Sequence, residues 1–475
     1  MLRLTYPNRE IDTGPVSTPR PLLRNRDFLW FWTGEGISQL GAQFTGLALP
    51  VLAVTLLGAT EWQVGVLGAA QTAAFLVVGL PAGAWIDRML KRRVMIVADL
   101  VRAVALALIP ALWFAGSLEI WHLYIVGAVV GVATVFFDVS YQSFIPVLLP
   151  GEQVGSANSK LEATSQIAHI GGPGLAGALL TIVSAPVLLL ADGLSYLVSA
   201  FALWRVRDTE ALPDPQDRQS LPREIGEGLR FVFGHPLLWR ITATTGTSNF
   251  FSTLIFTLES ILILRILGLS PAAFGIILGV GSVGGLLGAL ATPWIQKRIG
   301  EGTSISLSAV AMAAGVLAMP LSAVFPSAAI PILIAGTFVV SFLVLVYNIT
   351  QVTMRQRLTP PRLLGRMNAS IRFVVWGVMP IASLVAGVLG EAIGVLPTMW
   401  IGVAGGFLAS VFVLFSPLTT MRVLPTELVA PASGDTEGPA EPAAPPAAPA
   451  DTAAEIAEDV RNAGDADGRV NNPLV

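Results

Sequence analysis

The chain has 475 residues, of which 53% are hydrophobic and only 12% are charged, and its mean hydropathy is +0.71. This composition excludes an ordinary soluble protein. The lack of cysteine in the sequence excludes disulfide bonds and thiolate metal sites. With a formal net charge of −3, we expect no nucleic acid among the partners of the chain.

The first 26 residues are polar and have no apolar core, so we expect no cleavable secretory signal. From Trp30 to Ser416, apolar runs of about 20 residues recur, which is the length that a bilayer-spanning helix needs. The first of these runs is therefore expected to direct insertion into the membrane.

The positions of Lys and Arg indicate how the chain crosses the bilayer. Long stretches without either residue lie between Arg26 and Arg88, Arg102 and Lys160, Lys160 and Arg205, Arg298 and Arg355, and Arg372 and Arg422. A sixth stretch, from Arg240 to Lys297, contains only Arg265. Each stretch has room for two spans and a short turn, which predicts twelve spans. Because Lys and Arg favour cytoplasmic loops, we expect a cell-membrane protein with both termini inside and Arg265 outside.

The apolar runs give approximate bounds for these spans. They are residues 29–57, 62–86, 94–115, 119–143, 159–183, 186–204, 239–263, 271–295, 303–325, 328–352, 367–392 and 397–417. The predicted organisation is a cytoplasmic N-terminal segment (1–26), a six-helix bundle (27–204), a cytoplasmic loop (205–238), a second six-helix bundle (239–424) and a disordered acidic Pro/Ala-rich tail (425–475). In the loop, Ile225, Leu229 and Val232 share one face of a predicted short amphipathic helix.

The two halves of the chain repeat each other. Trp30, Gly79, Trp85 and Ile86 recur 209 residues later as Trp239, Gly288, Trp294 and Ile295, and Pro150, Gly155, Asn158 and Gly177 recur 210 residues later as Pro360, Gly365, Asn368 and Gly387. A six-helix repeat in parallel orientation places a cavity between the two copies. The predicted fold is therefore an all-α integral membrane protein with twelve transmembrane helices in two parallel-repeat six-helix bundles around a central cavity.

The segment between spans two and three, "GAWIDRMLKRR", concentrates charge in an apolar chain. It resembles the cytoplasmic signature of the major facilitator superfamily, with Gly83, Asp87, Arg88, Arg92 and Arg93 at matching positions. One interpretation is that its basic residues only anchor the loop inside. The other is that Asp87 pairs with a basic residue or helix terminus of the opposing half, so that the segment acts as a conformational latch.

Three further motifs, "FFDVSYQSFIPVLLP", "EGLRFVFGHPLL" and "RLTPPRLLGRMNAS", resemble the exporter branch that includes macrolide efflux proteins and the enterobactin exporter. In span five, Gly172, Pro173 and Gly177 partly match the helix-packing signature of antiporters, although Ala168 and Ala176 replace two of its glycines. The resemblance covers about residues 22–417. It implies export of small, partly apolar molecules by alternating access.

Ionisable groups at membrane depth are costly and are candidates for function. On span one, Glu35, Gln39 and Gln43 are four residues apart and form one polar stripe. The resemblance implies that spans one, four, seven and ten line the central cavity, which would place the stripe there. The alternative is that the stripe only binds neighbouring helices through hydrogen bonds.

Other candidates for substrate binding or proton coupling lie on the remaining cavity spans. They are Asp138 and Tyr141 with Gln142 on span four, Asn249 and Glu259 on span seven, and Asn348 beside Tyr347 on span ten. Asp138 either titrates with the substrate or pairs structurally with an arginine. Structural roles are expected for His169 and Asp192, and Asp99 and Arg102 are expected to pair with each other. The glycines of span eight predict close helix packing.

Enzyme activity is not expected. The sequence has no Gly-x-x-x-x-Gly-Lys-Ser/Thr phosphate loop and no His-Glu-x-x-His zinc motif, so we expect neither ATP hydrolysis nor a metal, and no cofactor. The expected partners are a small-molecule substrate, the lipid bilayer and protons, with the chain acting as a monomer. Two alternatives stay open: an importer of the same fold, and a membrane sensor or assembly factor that has lost transport.

Overall fold

The computed structural model describes residues 22–86, 88–207, 210, 221–360 and 363–422, and these residues contain helices and no strands. The N-terminal segment and the acidic tail predicted from the sequence therefore lie almost entirely outside the described residues. The helices of the first sequence repeat are α1 (Arg26–Val51), α2 (Glu61–Val77), α3 (Gly79–Ile86), α4 (Lys91–Phe114), α5 (Ile120–Leu148), α6 (Gly151–Leu179) and α7 (Ala185–Arg205).

The second repeat follows a connecting helix, α8 (Leu221–Gly234). Its helices are α9 (Leu238–Ile261), α10 (Pro271–Ile299), α11 (Glu301–Val316), α12 (Ala318–Val324), α13 (Ala329–Leu358), α14 (Leu364–Ile393) and α15 (Val395–Leu414). Helix α8 lies where the loop helix was predicted; Val232 is buried in it, whereas the side chain of Ile225 is outside the described part of the chain.

Ten helical segments in the described residues are long and apolar enough to cross a membrane, and they correspond to every predicted span except the second and the fifth. The second predicted span is divided at Val78 into α2 and α3, neither of which reaches the roughly 20 residues that a bilayer requires. The fifth, α6, is long but carries Glu152, Lys160, Glu162 and His169. The break at Val78 and the polar residues of α6 thus explain why neither predicted span is an uninterrupted apolar helix.

The first turn of each repeat has the same construction. A π-helical segment extends α1 at Leu52–Leu56, and an equivalent segment, Leu262–Ile266, extends α9. Gly58 and Gly268 then adopt positive φ angles of 60° and 62°, which only glycine accepts without strain. The Thr60 and Ser270 hydroxyls accept hydrogen bonds from backbone N–H groups of the first turns of α2 and α10. The sequence repeat is thus visible as repeated local structure.

Most helix packing occurs within each repeat, and two large contacts join them. Helix α2 packs against α14, and α6 packs against α10. At these crossings glycine faces glycine: a Cβ on Gly65 would lie 2.7 Å from the Gly387 Cα, and one on Gly177 would lie 2.9 Å from the Gly275 Cα. Because the four glycines are related by the same 210-residue offset, the two crossings are equivalent.

Helix α10 uses its glycines on two faces. Gly275 and Gly279 approach the backbone of α6, whereas Gly281, Gly284 and Gly288 approach α13. Backbones can come this close only where side chains are absent. The prediction of close packing for this helix is confirmed.

Two adjacent glycines of α10 provide a matched test of this packing. A Cβ on Gly284 would lie 2.9 Å from the Phe338 carbonyl carbon, whereas one on Gly285 would lie 3.4 Å from the end of the flexible Leu345 side chain. We therefore expect Gly284→Ala to destabilise the protein by about 1–3 kcal/mol through overpacking, and Gly285→Ala to have little effect. Thermal unfolding of both variants in the same detergent measures the difference, and equal melting temperatures would contradict the packing.

Candidate functional site

Three adjoining cavities lie among the helices, with volumes of about 390, 650 and 340 Å³. Asp138 on α5 lines all three cavities, so they meet around this residue. Glu35, Gln39 and His169 line the first and second, and Arg372 lines the second and third. The three volumes therefore surround one polar centre, which we call the Asp138 cavity.

The predicted polar stripe of α1 forms one wall of this cavity. Glu35 is buried, and its Oε1 accepts a hydrogen bond of 2.7 Å from Gln39 Nε2. The other oxygen of Glu35 accepts no hydrogen bond within the described part of the chain. Gln43 lines the same wall and packs against Gly172, where a Cβ would approach the glutamine side chain to 2.5 Å. Gly172 therefore provides the space in which Gln43 lies.

The second predicted patch, on α5, forms the facing wall. Tyr141 and Gln142 line the cavity beside Asp138. The Tyr141 ring lies 5.6 Å from the Phe31 ring and 6.3 Å from the Phe137 ring, measured between centroids. These aromatic contacts hold the tyrosine at the cavity edge, so the patch offers a carboxylate, an amide and an aromatic surface together.

The second sequence repeat contributes a cation and an indole that the sequence analysis did not identify. Arg372 and Trp376 of α14 line the cavity, and the Arg372 guanidinium lies 4.9 Å from the centroid of the Trp376 ring. Trp376 also meets Phe75 of α2 edge-to-face, with 4.7 Å between ring centroids. The signal that could have identified this site was Arg372 itself, because it is an arginine within the predicted span 367–392.

The remaining predicted candidates occupy different surroundings. The Asn249 amide donates a hydrogen bond of 3.1 Å to the Val375 carbonyl on α14. Glu259 is buried near the other end of α9, and Asn348 on α13 accepts from Gln351 Nε2 at 3.3 Å. None of the three is among the residues that line the three cavities. The structure thus brings together the candidates of α1 and α5 and separates those of the second repeat from them.

The two residues for which structural roles were expected differ in position. Asp192 is fully buried and accepts hydrogen bonds from the Thr45 and Ser195 hydroxyls, so its oxygens are satisfied within the protein. His169, in contrast, lines two of the cavities. A histidine on the packing helix α6 therefore reaches the cavity wall, which helical periodicity alone did not predict.

A buried ion pair adjoins the cavity. The expected Asp99–Arg102 pair is confirmed, and both side chains are buried. The Arg102 guanidinium also lies 4.4 Å from the Phe137 ring centroid and 4.1 Å from that of Tyr196. Arg102 lines the first cavity with Glu35 and Asp138. Its guanidinium group thus belongs to a residue that lines the same cavity as the α1 and α5 candidates, a role that the sequence analysis did not assign.

The charged segment between α3 and α4 is described only in part. The structure describes neither Asp87 nor the environment of Gly83. Arg88 and Arg93 are exposed. Arg92 donates hydrogen bonds to the Leu203 and Trp204 carbonyls at the end of α7, at 2.8 and 2.6 Å. The described contacts of this segment therefore tie α4 to α7 within the first repeat.

The antiporter-like signature of α6 lies at two helix contacts. Gly172 packs on α1, and Gly177 packs on α10, where the Pro173 carbonyl also approaches Gly275. No group of three or more His, Cys, Asp or Glu side chains suited to a metal ion occurs in the residues that the structure describes.

The buried ion pair generates a prediction about stability. Replacing Arg102 with Leu leaves the Asp99 charge buried without its partner, which costs about 3–5 kcal/mol. We expect the double variant Asp99→Asn/Arg102→Leu to recover most of this loss, because no buried charge remains. Thermal unfolding of the wild type, both single variants and the double variant gives the coupling free energy. Additive effects of the two substitutions would contradict an interacting pair.

Comparison with known proteins gives a consistent result. The chain is 25% identical over 391 residues to the "Multidrug efflux pump Tap" of Mycolicibacterium fortuitum, covering 78% of this chain and 92% of that protein. It is 23% identical over 409 residues to "Macrolide efflux protein A" of Streptococcus pyogenes, covering 84% and 97%.

Among solved structures, the fold is similar to an inward-facing bacterial homologue of the iron transporter ferroportin, with a TM-score of 0.67, 19% identity, and coverage of 84% of this chain and 100% of that one. The D-xylose-proton symporter has a TM-score of 0.63 at 14% identity and covers 84% of this chain and 99% of its own. The profile of the Major Facilitator Superfamily matches residues 31–382. The chain therefore belongs to the Major Facilitator Superfamily, and it is a multi-pass membrane transporter and not an enzyme.

Proposed function

We propose that this chain is a secondary active transporter that exports small, partly apolar molecules across the cell membrane by alternating access, driven by protons. The observation that carries the proposal is the Asp138 cavity. Its walls combine carboxylates (Glu35 and Asp138), amides (Gln39 and Gln43) and aromatic rings, and its volumes fall within the roughly 300–1,000 Å³ of small-molecule sites. Such a lining suits cargo with both polar and apolar surface.

The proposed architecture is twelve spans in two six-helix bundles, residues 27–204 and 239–424, with both termini in the cytoplasm. In this arrangement α2 and α3 together form the second span and α6 the fifth. The equivalent α2–α14 and α6–α10 crossings support two related bundles. The grouping of Lys and Arg between alternate spans supports the orientation, because such residues favour the cytoplasmic side.

Contacts at the turns that follow α1 and α9 support alternating access. Arg265 donates a hydrogen bond of 2.5 Å to the Ala59 carbonyl, and its guanidinium lies 3.5 Å from a Glu61 carboxylate oxygen. These contacts join the two repeats at what we propose is the outer surface. The cavity residues Asn158 and Asn368 lie near the starts of α6 and α14, which we place toward the cytoplasm. We therefore interpret this conformation as inward-facing.

Comparison with solved structures adds support for that conformation. The ferroportin homologue was solved in two states, and this chain is more similar to the inward-facing one, with a TM-score of 0.67 against 0.53 for the outward-facing one. The identity is 19% in both comparisons.

The direction of transport rests on the relatives. Both sequence relatives named above carry efflux in their names, which supports export. An importer of the same fold is the alternative, and a sensor or assembly factor that has lost transport is the second. The cavity, with its buried polar groups, favours a transporter over the sensor, because such groups are costly to keep inside a membrane protein without a use.

Proton coupling requires a carboxylate that changes protonation between the inward- and outward-facing states. Burial and nearby charges control the protonation of a carboxylate, and both change when a cavity opens to the other side. Glu35 is our first choice because it shares a cavity wall with the amides of Gln39 and Gln43. Asp138 and Glu259 follow. Tyr141, Asn249 and Asn348 complete the proposed substrate-binding or coupling set.

The latch stays part of the proposal. We propose that Gly83, Asp87, Arg88, Arg92 and Arg93 form a conformational latch, in which Asp87 pairs with a basic residue or helix terminus of the opposing half in one conformation and releases it in the other. The Arg92 bonds to the end of α7 fix the start of α4 within the first repeat, so that the segment moves with the first bundle.

The first test measures transport by the purified wild-type chain in liposomes with an imposed pH gradient. The probes are a panel of labelled drugs that includes macrolides, and empty liposomes are the control. Proton-driven export predicts accumulation of at least one compound on the side with the higher proton concentration, and dissipating the gradient abolishes it. Movement of every compound at the rate of empty liposomes would contradict the transporter proposal.

Glu35→Gln tests the coupling group in the same liposomes. The amide keeps the size of the side chain and its contact with Gln39 but cannot release a proton. We expect downhill movement of the cargo to continue while accumulation against its gradient falls to background. Glu152→Gln, which changes an exposed carboxylate on α6, is the control and is expected to behave as the wild type. Undiminished uphill accumulation by Glu35→Gln would remove Glu35 from the coupling role.

Arg265→Gln tests the closed outer contact. It removes an ion pair and a charge-assisted hydrogen bond, together worth about 1–2 kcal/mol, which changes the ratio of closed to open states about 5- to 30-fold. Spin labels at Leu56→Cys and Ile266→Cys report the distance across this surface, and the cysteine-free chain offers no other labelling site. Glu61→Gln removes only the ion pair and is expected to give a smaller shift. An unchanged distance distribution in Arg265→Gln would exclude the contact as a gate.

A further inference from the structure

A groove on the outer surface of the first repeat lies apart from the Asp138 cavity. It has a volume of about 790 Å³ and runs between α4 and α5. Its floor consists of small residues (Ala98, Ala128 and Ala133), and its rims are formed mainly by valines and Phe136. Val97, Val101, Val129 and Val132 are between 37% and 58% exposed, so the groove faces the surroundings of the protein and not its interior.

One end of this groove is basic. Arg93 lines it and is exposed, and its guanidinium forms no ion pair within the described part of the chain. The neighbouring cations are engaged elsewhere: Arg92 binds carbonyls of α7, and Lys91 lies 4.0 Å from Glu210. Arg93 is therefore the cation that is available to a ligand in the groove.

The dimensions of the groove match one membrane leaflet. From Arg93 to Val101, α4 rises about 12 Å at 1.5 Å per residue, and half of the hydrocarbon core measures about 15 Å. Trp85 stacks on Phe136 at the Arg93 end, with 6.2 Å between ring centroids. Tryptophan favours the depth of the lipid headgroups. The basic end thus lies at headgroup level, and the apolar walls extend into the leaflet.

From this arrangement we infer that the groove between α4 and α5 is a binding site for one anionic phospholipid, whose phosphate contacts Arg93 and whose acyl chain lies over Ala98, Ala128 and Ala133. Charge complementarity selects the anionic headgroup, because each basic residue near an anionic membrane surface contributes about 1 kcal/mol. The alanine floor recesses the acyl chain between the valine rims. The groove lies outside the Asp138 cavity, and Arg93 is the residue that it shares with the proposed latch.

Photo-crosslinking tests the site. The purified wild-type chain is reconstituted in phosphatidylcholine vesicles that contain a few per cent of phosphatidylglycerol with a diazirine in its acyl chain. A phosphatidylcholine probe with the same diazirine chain is the comparison. Mass spectrometry then locates the adducts. We expect them to concentrate on residues 94–101 and 128–136, with about a fivefold preference for the phosphatidylglycerol probe.

Two variants separate the contributions of charge and shape. Arg93→Gln is expected to remove the fivefold preference, and Ala128→Phe, which fills the groove, to reduce the adducts of both probes. Arg298→Gln removes an exposed arginine near the end of α10 and is expected to leave the adducts unchanged. Thermal unfolding confirms that each variant is folded. Because the readout is lipid attachment and not transport, the test holds whether or not the chain exports any compound.

Three results would overturn the inference. The first is an even spread of adducts over the lipid-facing helices, and the second is a phosphatidylglycerol preference that persists in Arg93→Gln. The third is a groove that neither probe labels while the chain runs as a dimer, which would show that the groove receives a second copy of the chain.

Discussion

Contact between glycine backbones is the constraint on which the arrangement of this transporter depends. Gly65 meets Gly387, and Gly177 meets Gly275, at distances that leave no space for a Cβ. Inside a membrane the hydrophobic effect does not drive helices together, so association relies on such close packing and on polar contacts. The two crossings are equivalent under the 210-residue repeat, and they hold the repeats together while the helices diverge around the Asp138 cavity.

The polar groups of the cavity follow from that arrangement. A carboxylate inside a membrane protein needs water, a cation or hydrogen-bond donors nearby. The structure supplies them unevenly: Asp192 is satisfied by two hydroxyls, whereas Asp99 pairs with Arg102 through one oxygen and its other oxygen accepts no hydrogen bond within the described residues. Glu35 keeps one oxygen without a donor in the described residues, and Asp138 lies where three cavities meet. Asp192 and the Asp99–Arg102 pair are thus held by protein partners, whereas Glu35 and Asp138 lie at cavity walls, as the proposed roles require.

Sequence reasoning found what is periodic or compositional and missed what depends on tertiary contact. Charge spacing predicted the hairpins, and glycine spacing predicted the packing of α10, because both signals are local. The break at Val78 and the polar residues of α6 reduced the apolar signal of the second and fifth predicted spans. Helices α2 and α6 of these two spans pack against the other repeat. The aromatic contact of Phe75 with Trp376 joins residues 301 positions apart, so no local pattern could indicate it. The position of His169 at the cavity wall also follows no local pattern, because it depends on how the neighbouring helices pack against α6.

The repeat also explains why the candidate chemistry is concentrated in one half. At the 210-residue offset, Asp138 corresponds to Asn348 and Gln39 to Asn249, while Glu35 corresponds to Thr245, whose hydroxyl is hydrogen-bonded to Tyr347 at 2.8 Å. Asp99 and Arg102 correspond to Ala309 and Met312. The second repeat has thus kept the backbone packing but has neutral residues at these positions. Glu162 and Arg372 are an exception: they correspond at the 210-residue offset, carry opposite charges and line the same cavity. Symmetric helices therefore carry an asymmetric charge distribution, and under the alternating access that we propose, movement of one half against the other would change the field at Glu35 and Asp138.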